Sequence, residues 1–167
     1  MKTGFTRLKI LFPVAVFLLF SMVCAGSVFS DPAKKAAIFP LQMNSAQDLS
    51  FLQKGLFSML SSRLADPGKV EILERQTIDT ALSTAQSSFL TKGSLNESKA
   101  RLIGKKLGVD HVLFGSITMF GDSASLDISM VYVKEDKPSL RFSRQTKEAG
   151  AVITEMDSIA TQINLQV

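Results

Sequence analysis

The residues able to do chemistry are few, and their spacing disperses them. His111 is the one histidine of 167 residues, and Asp110 stands beside it. Neighbours on a strand point to opposite faces, so these two cannot exchange a proton directly. No Gly-x-Ser-x-Gly elbow is present to expose a nucleophilic serine. Gly104-Lys105 looks like the end of a phosphate loop, but Lys99 stands where that loop needs its first glycine. One cysteine, Cys24, and one histidine cannot supply the four ligands of a structural zinc. These residues predict no enzyme, no cofactor and no metal.

What remains is recognition, and two polar groups are placed for it. Ligands of open α/β sheets favour the crevice at the strand carboxyl ends where the strand order reverses. Here that crevice falls between the first and third strands and is lined by Gln42, Asn44, Ser45 and Asp122, with Met43 and Phe120. The same residues also suit a loop and a helix cap. The second group is Arg141, Ser143 and Gln145 on a polar last strand, an exposed edge able to accept a partner strand or a second copy of the chain.

Charge narrows the partners further. The formal charge is +4, yet Lys2, Arg7 and Lys9 lie in the first nine residues and no acid precedes Asp31. Past residue 30, sixteen basic residues face fifteen acidic ones, which leaves no electrostatic footprint for nucleic acid. The basic start is followed by an uncharged run from Ile10 to Phe29 and small residues near its end, the layout of a secretory signal over 1–30. Cleavage before Asp31 is one outcome. An uncleaved anchor is another, because about 20 apolar residues can span a bilayer. Lipidation of Cys24 is the third, although Ser21-Met22-Val23 ahead of it is a poor attachment motif. A membrane is thus reached only through the amino terminus.

The remaining 31–167 must position the polar groups. A first strand covers 36–41, with apolar residues toward both faces, and Gln42–Ser45 reads as a loop. A helix over 46–65 carries the stripe Leu49, Leu52, Leu56, Met59, Leu60 and Leu64, widened by Phe51 and Phe57, with Gly55 marking close packing. A strand at 70–73 and a helix over 75–85 follow, then a loop at 87–93. The helix over 96–107 stops at Gly108, with Ala100, Leu102, Ile103 and Leu107 inward and Lys99, Arg101, Lys105 and Lys106 in water. Strands at 109–120, 124–133 and 140–146 are joined by turns. A last helix over 149–164 turns Ile153, Met156, Ile159, Ala160 and Ile163 inward.

Helical crossovers make the first three strands parallel, and hairpins join the last two. The expected fold is α/β, a single mixed five-stranded sheet of order 2-1-3-4-5 with helices on both faces.

Four segments resemble the amino-terminal domain of TolB and the curli-secretion lipoprotein (CsgG-like) domains. They are Lys35–Leu41 (KAAIFPL), Phe51–Leu64 (FLQKGLFSMLSSRL), Val70–Ile78 (VEILERQTI) and Ala100–Met119 (ARLIGKKLGVDHVLFGSITM). The resemblance implies an anticodon-binding-like fold and export to the periplasm or envelope of a Gram-negative bacterium. It also implies non-catalytic work with envelope proteins, in assembly or transport. Arg75 and Gly115 carry over as structural positions. The propeller that often follows such domains in TolB is absent. A small-ligand receptor using the crevice is the alternative function.

Overall fold

Strand β1 (Lys34–Ile38) buries its last three residues, as a strand covered on both sides must. The computed structural model describes residues 32–88 and 95–167, with the side chains of 86–88 excepted. The expectations for the signal, its cleavage and Cys24, and for most of the loop at 87–93, lie outside the described residues, while Ser87 and Ser88 are helical and not in a loop. In chain order β1 is followed by β2 (Gln42–Asn44), α1 (Ser50–Leu64), β3 (Val70–Ile72), α2 (Arg75–Ser88) and α3 (Glu97–Leu107). Then come β4 (His111–Phe120), β5 (Ser123–Tyr132), β6 (Leu140–Thr146), a 3-10 turn at Ala149–Ala151 and α4 (Val152–Asn164).

The sheet runs β3-β1-β4-β5-β6, the order expected from the crossovers. β1 is parallel to β3 and β4, and β4, β5 and β6 are antiparallel neighbours. One strand was not foreseen. The Phe39 amide still donates to the Leu113 carbonyl at 2.8 Å, Pro40 has no N–H to continue, and pairing resumes at Gln42 beside Ser116. Gln42–Asn44 is therefore a sixth strand rather than a loop. β4 is long enough to offer its edge to both segments, and backbone groups there need partners.

The start of α1 shifts with it. The Asn44 amide group donates to Thr118 Oγ1 at 3.1 Å and caps nothing. Asp48 accepts the Ser50 amide at 2.9 Å, and Ser45 accepts that of Gln47 at 3.1 Å. The helix opens at Ser50, not at 46.

Two cores lie on opposite sides of the sheet. α1 and α4 enclose Ile38, Leu113, Ile117, Leu126, Ile128 and Met130. α2 and α3 enclose Ala37, Phe39, Val112, Val131 and Val133. α1 and α4 are further tied by an Arg63–Asp157 ion pair at 3.0 Å and by Asn164 Nδ2 donating to the Arg63 carbonyl at 2.7 Å.

Five placements are corrected, the first being Phe51, which is 72% exposed and not part of the inward stripe. Leu102 is 45% exposed and Ile153 54%, with Val152 buried in the place of the latter. Gly55 faces open space, and the close approach is at Gly104, where a Cβ would meet Val112 Cγ2 and Val133 Cγ2 at 2.7 Å. Arg101 does not face water. It donates to the carbonyls of Tyr132, Glu135 and Lys137 and pairs with Glu97 at 3.2 Å, fastening α3 to the turn after β5. Gly108 takes the left-handed conformation (φ 70°) that ends α3.

The two positions carried over by resemblance have structural contacts. Arg75 pairs with Asp79 at 3.1 Å and lies 4.9 Å above the Phe57 ring, pinning α2 to α1. A Cβ at Gly115 would fall 2.1 Å from the Asp127 carbonyl oxygen.

Candidate functional site: an open polar face and an apolar groove

Pleating sends alternate side chains of β4 to opposite sides of the sheet. Toward α2 and α3 point Val112, Phe114, Ser116, Thr118 and Phe120, and the helices pack on the first two only. Beyond them no helix among the described residues covers the face.

Register aligns the bare part into rows. Gln42 lies beside Ser116, Ser116 beside Asp127, and Asp127 beside Ser143. The next row is Asn44, Thr118, Ser125 and Gln145. A third sets Phe114 beside Ser129 and Arg141, and a fourth Phe120 beside Ser123. Rows lie about 7 Å apart, and four strands make the face about 14 Å wide.

Hydrogen bonds hold these side chains in place. Gln42 Nε2 donates to Asn44 Oδ1 at 3.1 Å, and Asn44 in turn to Thr118. Ser143 Oγ and Ser125 Oγ donate to the two oxygens of Asp127 at 2.6 and 3.3 Å. Where α3 begins, a cavity of about 410 Å³ opens onto the face, lined by Asn96, Glu97, Phe114, Asp127, Ser129 and Arg141. The Ser139 hydroxyl and then Arg101 hold the Glu97 carboxyl below its ordinary range.

The structure thus brings Gln42 and Asn44 together with Arg141, Ser143 and Gln145 on one surface, although the sequence placed them in separate groups. Ser45 and Asp122 go elsewhere. They border a groove of about 490 Å³ at the carboxyl end of β4, with Leu49, Phe51, Met119 and Ile153. Phe51 is 72% exposed, and Phe120, next to lining residues Met119 and Gly121, is 67% exposed. Among the described residues, three of the five exposed large hydrophobic side chains thus gather at this end of the sheet. A further hollow of about 620 Å³ lies between α2 and α3, lined by Thr77, Thr80, Ala81, Ile103 and Lys106 among others.

Sequence reasoning missed Ser116, Thr118, Ser125, Asp127 and Ser129. Their signal was present: polar residues alternate with Ile117 and Met119 on β4 and with Leu126, Ile128 and Met130 on β5.

His111 and Asp110 are engaged in the fold. His111 is 4% exposed and meets the Tyr132 ring edge-on at 5.4 Å, and its Nδ1 has no hydrogen-bond partner among the described residues. Burial pushes its pKa below the ordinary value, against the pull of the Asp110 charge. Asp110 accepts the Lys35 amide and pairs with Lys134, both at 2.8 Å. Burial raises its pKa, but those partners outweigh burial and leave it low. Among the described residues, no three of His, Cys, Asp and Glu come together as a metal-holding group. No helix among them is long and apolar enough to cross a membrane.

Solved structures with a similar chain path include the LpoB C-terminal domain from Salmonella enterica, at 18% identity and TM-score 0.48, covering 77% of this chain and 93% of that one. The lipoprotein GNA1162 from Neisseria meningitidis is similar at 16% identity and TM-score 0.46, covering 77% and 95%. TolB from Acinetobacter baumannii follows at 13% and 0.45, covering 80% of this chain but 27% of its own length. No curated protein matches the sequence. Residues 21–129 match the family described as curli production assembly/transport component CsgG, as the four quoted segments led us to expect, and the chain belongs to that family.

Proposed function

We propose that this chain is a non-enzymatic, exported envelope domain that works by contacting other proteins during assembly or transport. The observation that carries the reading is the apolar groove, where Phe51 and Ile153 stand exposed beside Leu49 and Met119. Exposed aromatic and aliphatic side chains around a concave site are what a protein partner buries. The β6 edge is a second surface. Among the described residues β6 pairs only with β5, so its outer backbone groups can receive a partner strand or a second copy. Membership of a family named for assembly and transport supports the same direction.

Export rests on residues 1–30 as a cleaved signal, with retention as an anchor or lipidation at Cys24 as the other forms of the same proposal. The mass of the isolated amino terminus distinguishes the three. The contact reading is tested by placing a photo-crosslinking residue at Phe51, at Ser143 and, as a control, at Lys99. Crosslinks to defined envelope proteins from the first two positions, lost from Phe51 in an Ile153→Asp background, are expected. Equal crosslinking from all three positions would remove the reading.

A small-ligand receptor is the second reading, favoured by the groove volume of about 490 Å³ with Ser45 and Asp122 on its rim. Such volumes suit small ligands. It predicts thermal stabilisation by an envelope metabolite that Asp122→Ala abolishes.

A further inference from the structure

The bare sheet face differs in chemistry from the groove. Its side chains are Gln42, Asn44, four serines on β4 and β5, Thr118, Ser143 and Gln145, with one carboxylate, Asp127, and one guanidinium, Arg141. The cavity beside it adds the Glu97 carboxylate, which Arg101 neutralises at 3.2 Å, so the charges of the surface balance, which disfavours polyanions and polycations alike. Nor does it resemble the core of a protein interface, because such cores are apolar and poor in serine. Hydroxyl and amide groups both donate and accept, so they match a ligand dense in hydroxyls.

Aromatic rings complete the pattern. Phe120 is exposed on this face, and Phe114 lines the cavity where α3 begins. Ligand sites combine such apolar platforms with a few fixed polar groups. Here the polar groups are set in advance, since Asn44 is bonded to Thr118 and Asp127 to Ser125 and Ser143. Their short side chains lose little rotamer entropy when a ligand binds. Each Asp127 oxygen keeps a lone pair beyond its serine, and charge-assisted acceptance from a ligand hydroxyl is a strong contact. Arg141 makes no ion pair among the described residues, which leaves its donors to the cavity.

We propose that the face formed by β2, β4, β5 and β6, with the cavity at Phe114, Asp127 and Arg141, binds an uncharged oligosaccharide. A sugar ring sits in the cavity against Phe114, and the chain crosses the serine and amide rows toward Phe120. This is independent of the groove reading.

The test uses isotope-labelled chain isolated from the envelope with its own amino terminus, in a sugar-free detergent. Amide resonances are followed while chitotetraose, cellotetraose or maltotetraose is added to millimolar concentration, with a heparin tetrasaccharide as charged probe. At least one neutral tetrasaccharide is expected to shift Ser116, Thr118, Asp127, Ser129 and Ser143. Asp127→Asn and Phe120→Ala, each with an unchanged melting temperature, are expected to weaken that binding about tenfold. Phe51→Asp/Ile153→Asp should leave it intact, which separates this proposal from the groove reading. Three outcomes overturn it: no shift with any neutral sugar, shifts with heparin alone, or shifts on these rows produced only by raising the protein concentration. The last would mark the face as a contact between copies.

Discussion

Along β4 and β5 the side facing α2 and α3 changes character at mid-strand. Toward His111 it is valine under helix, with Gly104 letting α3 come within contact of Val112 and Val133. Toward Phe120 it is serine and threonine with no helix over them among the described residues. The strands, pleat and pairing are common to both halves, so the cause lies in the helix. α3 has 11 residues and spans about 16 Å, while the ten residues of β4 extend about 33 Å. A helix of that length covers about half of such a strand. Bare sheet has to be polar to stay in water, and the sequence changes composition where the cover stops.

This contrast can be broken from either side. The largest effect is expected in the covered half, where Ile103→Ala removes a fully buried side chain and should cost about 3–4 kcal/mol in urea unfolding. Gly104→Val comes next. Its Cβ alone meets two valine methyls at 2.7 Å, so overpacking of about 1–3 kcal/mol is expected, with α3 lifting from the sheet in hydrogen exchange. If Gly104→Val is neutral, α3 does not press on the sheet and the cover argument fails.

The buried end should also respond to acid. His111 is held below its ordinary pKa of 6.5 in the folded chain. The unfolded chain therefore binds the proton more readily, and this stability is fully present above pH 6.5. It is lost as the pH falls below that value toward the folded pKa. Unfolding midpoints measured on both sides of pH 6.5 should show that slope, and His111→Phe should flatten it. The smallest effect belongs to the bare half. Ser116→Ala and Ser125→Ala should each change stability by less than about 0.5 kcal/mol. A loss near that of Ile103→Ala would mean the face is covered after all.

Sheet order, parallel pairing and most of both cores were legible, because crossovers and apolar alternation are properties of local sequence. The errors have a common source. Leu102 and Ile153 sit one position from residues that are buried, and periodicity alone cannot choose between adjacent apolar positions at a stripe's margin. The smallness of Gly104 settles which side of α3 goes inward, and that depends on the valines of two other strands. β2 is three residues, Gln-Met-Asn, with no intrinsic pull toward a strand, and only the free edge of β4 makes it one. The polar rows were hidden for the same reason. Each strand shows its alternation, but which serine stands beside which is a matter of register between strands.

The tie between α1 and α4 has a bearing on how the chain matures. Val152, Met156, Ile159, Ala160 and Ile163 supply one wall of the larger core, opposite leucines that come about a hundred positions earlier. A polypeptide emerging amino end first therefore cannot seal that interior until residues 152–163 arrive. α4 is thus the latch that closes the larger interior over β4 and β5.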